Sequence, residues 1–261
     1  MRQTYPTDLS DAEWSRLAPL IPRPKPGGRP LKYSRREIVN AILYVVRAGG
    51  AWRLVPHDLP KWATVYHYFR RWRRDGTWRT IHDRLRRRVR RAAGRLPTAS
   101  AAILDSQSVK TTDRGGVRGY DAAKKVVGRK RHLLVDTLGL PLLTVVHSAS
   151  EQDRTAARRV LSALSSGFHR LRLVWADGGY RGPLGDWLWG LRRQRKVRLE
   201  LVARTEEHSF SVLPKRWIVE RTFAWLSRCR RLSKDYEFLT ETSEAMIQVA
   251  MIGLMLRRLA R

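Results

Sequence analysis

The sequence predicts an α/β protein in which an all-helical region precedes a mixed five-stranded sheet with flanking helices. Three observations predict it. Up to residue 97 the apolar residues recur at helical spacing behind capping patterns. Past the small and polar stretch Gly94–Ser100, short apolar runs bounded by turn residues take over. Those runs come first as three strands that include a hairpin, and then alternate with helical segments, the order expected of a mixed sheet covered by helices.

The helical region comes first. Ser10 and Glu13 form a capping-box pattern before Trp14, Leu17 and Leu20. Pro22–Pro30 is rich in Pro and Gly and reads as a basic connector. Ser34 and Glu37 repeat the capping box, Ile38, Ile42 and Val45 mark one helical face, and Gly49-Gly50 stops the helix. In Lys61–Arg74, the residues Trp62, Val65, Tyr66, Phe69 and Trp72 share a face, with His67, Arg70, Arg71 and Arg74 towards the other. A fourth helix places Trp78, Ile81, Leu85 and Val89 inward and an arginine run outward. Several short helices with an aromatic core and one basic outer helix suggest a helix-turn-helix-like DNA-binding region over residues 1–97. Its reading helix is Lys61–Arg74, with Arg70, Arg71 and Arg74 as DNA contacts.

Residues 98–261 form the second domain. Ala101–Leu104 is its first strand, and residues 113–131 form a Gly-rich basic connector. His132–Val135 and Leu140–His147 are strands joined by the turn Asp136-Thr-Leu-Gly139. Glu151–Leu164 is a helix, Leu171–Ala176 a strand, Pro183–Arg193 a helix and Val197–Ala203 the fifth strand. A long helix starts near Pro214, and another from about Ser243 is apolar nearly all round and therefore buried. This is the element order of a ribonuclease-H-like domain. The first and fourth strands become parallel neighbours, so residues that follow them share an edge, where ligands of α/β sheets gather.

The chain of 261 residues carries 53 basic and 23 acidic side chains, a formal charge of +30, which suits a polyanionic partner. The single cysteine, Cys229, excludes a disulfide framework within one chain and a Cys-based zinc site. The N-terminus lacks the apolar core of a signal peptide, and the most apolar stretch, Ala245–Leu256, is too short to span a bilayer. These features predict a cytoplasmic protein with nucleic acid as partner and no membrane. No Gly-Lys-Ser/Thr phosphate loop occurs, so no nucleotide cofactor is expected.

Against this basic background three acids stand out. Asp105 ends the run Ala-Ala-Ile-Leu-Asp, and Asp177 ends Leu-Val-Trp-Ala-Asp. Glu220 lies on a helix whose packed face is Ile218, Val219, Thr222, Phe223, Leu226 and Cys229; Glu220 falls opposite, near Arg216, Ala224, Ser227 and Arg231. An Asp after a strand is most often a turn residue, as Asp136 is, and an exposed helical Glu most often makes i,i+4 pairs. Two strand-end carboxylates and a helical one that converge are different. They offer hard oxygen ligands for Mg²⁺ or Mn²⁺, and two such ions activate the attacking oxygen and stabilise the leaving one in phosphodiester chemistry. Asp113, Asp121 and Asp153 lack a matching place in the sheet. Lys124, Lys125, Arg129, Lys130 and Arg131, ahead of the second strand, are candidate phosphate contacts, as a solvated loop is the alternative. Arg216, Arg228 and Arg231 extend the basic surface near Glu220.

Four segments, AILDSQSVKTT (102–112), GYDAAKKVVGRKRHLLVDTLGLPL (119–142), LVWADGGYRG (173–182) and PKRWIVERTFAWLSRCRRLSKDYE (214–237), resemble the DDE transposases of bacterial insertion sequences, in particular the "IS-five" family. GGRPLKYSRREIVNAILYVVRAGGAWRLVPHDLP is similar to that family's helical DNA-binding region. The resemblance implies that Asp105, Asp177 and Glu220 are the catalytic, metal-binding triad, and that Tyr180 is the tyrosine after the second Asp. Of a Tyr-x2-Arg-x3-Glu-x6-Lys signature, Arg216 and Glu220 fit, while Leu213 and Ser227 replace the Tyr and Lys. It also implies binding of terminal inverted repeats in double-stranded DNA, metal-dependent cleavage at the element ends, strand transfer of the freed 3′-hydroxyl, and a homodimer or higher synaptic oligomer. Two alternatives stand beside it: a metal-dependent nuclease or resolvase of the same fold that only cuts, and a domesticated DNA-binding repressor.

Overall fold

Ser10 starts helix α1 (Asp11–Leu17) with a complete capping box: its hydroxyl accepts the Glu13 amide, and the Glu13 carboxylate accepts the Ser10 amide. The second box is half formed. Ser34 caps α2 (Arg35–Ala48) through the Glu37 amide, but the Glu37 carboxylate is taken by Arg2 and Asn40. α2 ends where Gly49 takes φ 84°, a left-handed cap that glycine adopts without penalty. α3 (Trp62–Arg74) buries Val65, Phe69 and Trp72, whereas Trp62 and Tyr66, expected on the same face, stay exposed. α4 (Thr77–Ala92) buries Trp78, Ile81, Leu85 and Val89. The Trp72 and Trp78 rings meet edge to face at 5.1 Å, and the Trp78 indole N–H donates to the Phe69 carbonyl at 3.1 Å. Two of the arginines expected outward, Arg86 and Arg90, are buried.

In this computed structural model the described residues are 2–261 except 24–26, 28–30, 114–115, 165, 183, 185–186, 188–196 and 203–214. They divide into two compact units. The first comprises Met1–Ala93, Leu226–Ser233 and Glu241–Arg261; the second comprises Gly94–Trp225 and Lys234–Thr240. The division expected after residue 97 thus differs from the compact units: the change comes after Ala93, and two later segments join the helical region. The buried helix α7 (Thr240–Ala260) supplies much of that region's core.

The second unit is built on a mixed sheet of six strands: β1 (Ala101–Lys110), β2 (Gly119–Asp121), β3 (Val126–Asp136), β4 (Pro141–Ser148), β5 (Leu173–Asp177) and β6 (Arg198–Val202). β1 is central, antiparallel to β3 on one side and parallel to β5 on the other; β6 continues parallel beyond β5. β2 and β4 take successive stretches of the remaining edge of β3. Helix α5 (Asp153–Ser162) covers one face, packing Ala157, Val160 and Leu161 with Ala102, Leu104, Leu134, Val174 and Ala176. Helix α6 (Trp217–Ser227) buries Ile218, Val219, Thr222, Phe223 and Leu226, the face read from its periodicity.

Three differences from expectation matter for the site. Among the described residues the sheet has six strands, not five, the short β2 being the addition. β3 starts at Val126, so residues 126–131 are strand and not connector. β1 runs on to Lys110, so Asp105 stands within the strand. Most of the helix expected over 183–193 lies outside the described residues. Among the described residues no helix is long and apolar enough to cross a membrane.

Candidate active site

Strand register brings the first two carboxylates together. β1 and β5 run parallel with Ile103 opposite Trp175. Continuing that register by two residues sets Asp105 beside Asp177 on the same sheet face, since side chains alternate with period two. Each aspartate anchors one oxygen on backbone: Asp105 Oδ1 accepts the Ser106 amide at 2.7 Å, and Asp177 Oδ1 accepts the Gly179 amide at 2.9 Å. The second oxygens face a common point. There the Nη2 of Arg216 lies 3.4 Å from Asp177 Oδ2, 3.9 Å from Asp105 Oδ2 and 3.9 Å from Glu220 Oε1. Arg216 and Glu220 are one helical turn apart at the start of α6, so the strand pair and the helix meet through one guanidinium.

Burial pushes the Asp105 carboxyl up to about 6, and the neighbouring Asp177 charge adds to the rise; the Ser106 amide, Arg216 and Lys124 act against it. Glu220 is the most open of the three, with 59% of its side chain exposed against 16% for Asp105. Lys215, next to Arg216, has φ 75°, a conformation that residues with side chains seldom take. Its ammonium sits 4.2 Å over the Trp175 ring, two residues back along β5 from Asp177.

On the opposite sheet face a buried polar chain supports the loop after Asp177. The Tyr180 hydroxyl lies 2.9 Å from His132 Nε2, and His132 Nδ1 lies 2.7 Å from His147 Nε2. His147 Nδ1 faces the Ser148 carbonyl at 2.8 Å, so it must carry a proton. With both rings neutral, that sets the remaining tautomers in turn. His147 Nε2 accepts from His132 Nδ1–H, and His132 Nε2 accepts from the Tyr180 hydroxyl. Burial holds both imidazoles below the ordinary histidine range; the neighbouring His147 adds to this at His132 against Asp153, while the Ser148 carbonyl and Glu151 oppose it at His147. Burial also raises the Tyr180 phenol, with the Asp105, Asp153 and Asp177 charges adding to it. Beside this chain, Ser106 Oγ donates to Asp153, and the Lys130 ammonium is 3.1 Å from Asp153 and 3.6 Å from Asp121. The two competitor acids Asp121 and Asp153 therefore neutralise a buried lysine.

A family profile described as "Transposase DDE domain" matches residues 96–255. The chain belongs to the DDE transposases. A second profile, "Putative transposase of IS4/5 family", matches residues 9–82 and gives this transposase its family. It is similar to the "Putative transposase for insertion sequence element IS402" of Burkholderia cepacia, 26% identical over 171 residues, which cover 63% of this chain and 79% of the relative. It is also similar to the "Insertion element IS402 uncharacterized 16.2 kDa protein" of the same organism, 32% identical over 114 residues, 41% of this chain and 76% of the relative. No solved structure matches the chain significantly. The profile match carries the ribonuclease-H-like fold expected from the element order.

The basic residues singled out in the sequence fall into two groups. Arg70, Arg71 and Arg74 of this transposase are exposed on α3 and line a groove with His67 and Asp75. Lys124 and Lys125 are exposed between β2 and β3, and Arg228 is exposed after α6. The second group corrects the expectation. Arg129, Lys130 and Arg131 are buried within β3 and cannot meet a solvent-borne phosphate. Arg129 pairs with Asp235, Lys130 with Asp121 and Asp153, and Arg131 donates to the Lys234 carbonyl. Arg231 is buried too, donating to the Gly50 carbonyl at 3.0 Å. Ser227 is exposed at the end of α6, and Leu213 lies outside the described residues. Sequence reasoning missed the histidine chain and Lys215; the matched parity of Asp105 and Asp177 with Ile103 and Trp175 was the signal available for the shared face.

Among the described residues no three His, Cys, Asp or Glu side chains form a ready cage for a metal ion. The donor set nevertheless fits one in kind: three carboxylates turn free oxygens to one point that already holds positive charge. Their oxygens stand 3.4–3.9 Å from the guanidinium nitrogen, so they would have to close in to reach the ~2.1 Å of a magnesium–oxygen bond.

Proposed function

We propose that this transposase binds the terminal repeats of its own insertion element, hydrolyses a phosphodiester at each end, and joins the freed 3′-hydroxyl to target DNA. One observation carries the reading: Asp105, Asp177 and Glu220, from two strands and a helix, converge on a single point within 4 Å of one guanidinium nitrogen. The three carboxylates would hold divalent Mg²⁺ or Mn²⁺, two ions by the usual arrangement for this chemistry. When bound, such ions lower the pKa of water and stabilise charge on the leaving oxygen.

The chain's own residues do the rest. The Ser106 and Gly179 amides fix Asp105 and Asp177, so their orientation costs nothing at the moment of reaction. Tyr180, held by His132, packs the loop that carries Asp177 against the sheet. The exposed Arg70, Arg71 and Arg74 on α3 supply a basic face for duplex DNA, and Lys124, Lys125 and Arg228 add phosphate contacts. Because two element ends must be joined, the working species is a homodimer or a larger synaptic assembly, and the site of action is the bacterial cytoplasm.

The test is a cleavage and strand-transfer assay on a duplex carrying the element end. Asp105→Asn, Asp177→Asn and Glu220→Gln should each abolish cleavage and leave duplex binding intact. Full activity in any one variant removes that residue from the site. Cleaved ends with no joined product would leave a nuclease in place of a strand-transfer enzyme.

A further inference from the structure

Arg216 is an odd partner for three carboxylates. A guanidinium built as a permanent counter-ion makes paired, short hydrogen bonds at about 2.7–2.9 Å. Here the same Nη2 stands 3.4–3.9 Å from all three oxygens and fits none of them closely. Nor do the aspartates need it for their position, because each is anchored through its other oxygen to a backbone amide. The Arg216 side chain is 17% exposed, so it is not sealed from solvent.

We propose that Arg216 is a place-holding counter-ion. Before a divalent ion binds, its single charge offsets the mutual repulsion of Asp105, Asp177 and Glu220. An incoming divalent cation must displace it, since two cations cannot share a point within 4 Å of each other without strong repulsion. The displaced guanidinium is then free for a phosphate of bound DNA, so metal and DNA assist each other's binding. This inference rests on the metal reading of the carboxylates given above. It adds a defined consequence: metal binding includes the work of moving Arg216, and that work is returned when a phosphate takes the guanidinium. By linkage, the two ligands must then raise each other's affinity by the same factor.

The experiment measures Mn²⁺ binding to the full chain from the loss of the free aquo-ion signal in electron paramagnetic resonance. Wild type, Arg216→Gln, Arg216→Lys and Asp105→Asn are compared, with far-ultraviolet circular dichroism and urea midpoints confirming that each is folded. Arg216→Gln should bind Mn²⁺ about tenfold tighter than wild type or more, as expected for removing a unit charge at this distance. Arg216→Lys, which keeps the charge, should fall nearer wild type. A duplex oligonucleotide should tighten Mn²⁺ binding by a larger factor in wild type than in Arg216→Gln, since the variant keeps only the coupling made by the ion's own contacts with phosphate; equal factors would overturn the release of Arg216 to phosphate. If wild type shows Asp105-dependent Mn²⁺ binding and Arg216→Gln binds equally or more weakly, the place-holding role is overturned while the metal reading stands. Absence of Asp105-dependent binding in both wild type and Arg216→Gln would instead overturn the metal reading itself.

Discussion

Replacing Arg129 by methionine should destabilise the second unit by about 3–5 kcal/mol, the cost of breaking a buried ion pair from one side. The structure gives the components. The Arg129 side chain is 0% exposed and that of Asp235 is 1% exposed, with Nη1 and Oδ1 3.2 Å apart. The same guanidinium donates from Nε to the Val117 carbonyl at 2.6 Å, from Nη1 to Glu237 at 2.7 Å and from Nη2 to Phe238 at 2.8 Å. Methionine fills similar volume and donates nothing, so a buried carboxylate loses its ion pair with Arg129, keeping the Glu237 amide, and three carbonyls lose the guanidinium together. Those losses are not additive, because Asp235, Glu237 and Phe238 share one guanidinium. Against a total stability of about 5–15 kcal/mol for a domain, the effect is large. Urea unfolding followed by circular dichroism measures it, with DNA affinity titrated against salt in parallel. Adding Asp235→Asn should recover part of the loss, as a buried charge with less compensation disappears. A loss below about 1 kcal/mol, accompanied by a shallower salt dependence of DNA binding, would show Arg129 to be a surface phosphate ligand and refute the buried assignment.

Neutralising Arg70 and Arg71 should do the reverse: the urea midpoint stays put, while the slope of log affinity for duplex DNA against log salt falls by about 0.9 per lost phosphate contact. An unchanged slope would remove α3 as a DNA-contacting helix. Gly49→Ala should cost more than about 1 kcal/mol, because the position has φ 84° and a Cβ there would stand 2.7 Å from the Cβ of Arg230. Thermal melting reads that loss directly. The buried His132 predicts acid sensitivity. Its folded pKa lies below the ordinary 6.5, chiefly through burial and then His147, with Lys130 and Lys124 acting the same way and Asp153 opposing. The unfolded chain therefore takes up the proton first. Stability is full above pH 6.5 and falls as the pH drops below it, by up to about 1.4 kcal/mol per pH unit for one group. Urea midpoints for wild type and His132→Gln near neutrality and at about pH 5 test this; an equal drop in both would assign the acid sensitivity elsewhere.

What could be read from the sequence was whatever is written locally. The Ser10 capping box, the left-handed stop at Gly49 and the turn at Asp136 depend on residues a few positions apart, and each formed as read. The α6 face was legible because its apolar residues repeat at helical spacing. The convergence of Asp105 with Asp177 needed one inference more, that the first and fourth strands lie parallel, and β1 and β5 do. The run Arg129-Lys130-Arg131 misled because three adjacent cations look like a solvated loop. Their partners, Asp235, Asp121 and Asp153, sit in other elements, and no local pattern announces such pairs. Arg216 shows the same limit. Its spacing from Glu220 marked it as basic surface near the site, but only the fold shows that it also reaches Asp105 and Asp177. Tautomer-fixing contacts such as His132 with His147 join neighbouring strands, so they too emerge only with strand pairing.

The first unit is assembled from both ends of the sequence described here, and this bears on its synthesis. Leu43 of α2 packs against Gly253 of α7, where an added Cβ would stand 3.3 Å from the leucine methyl. The ribosome delivers helices α1–α4 long before it delivers α7, and the sheet of the second unit emerges in between. Domains generally fold in order of emergence, so here the unit begun first is finished last. A nascent or prematurely terminated polypeptide holds the basic α3 but lacks the helix that closes the core around its neighbours. Completion of the helical unit is thus deferred until the sheet that carries the carboxylates has already been made.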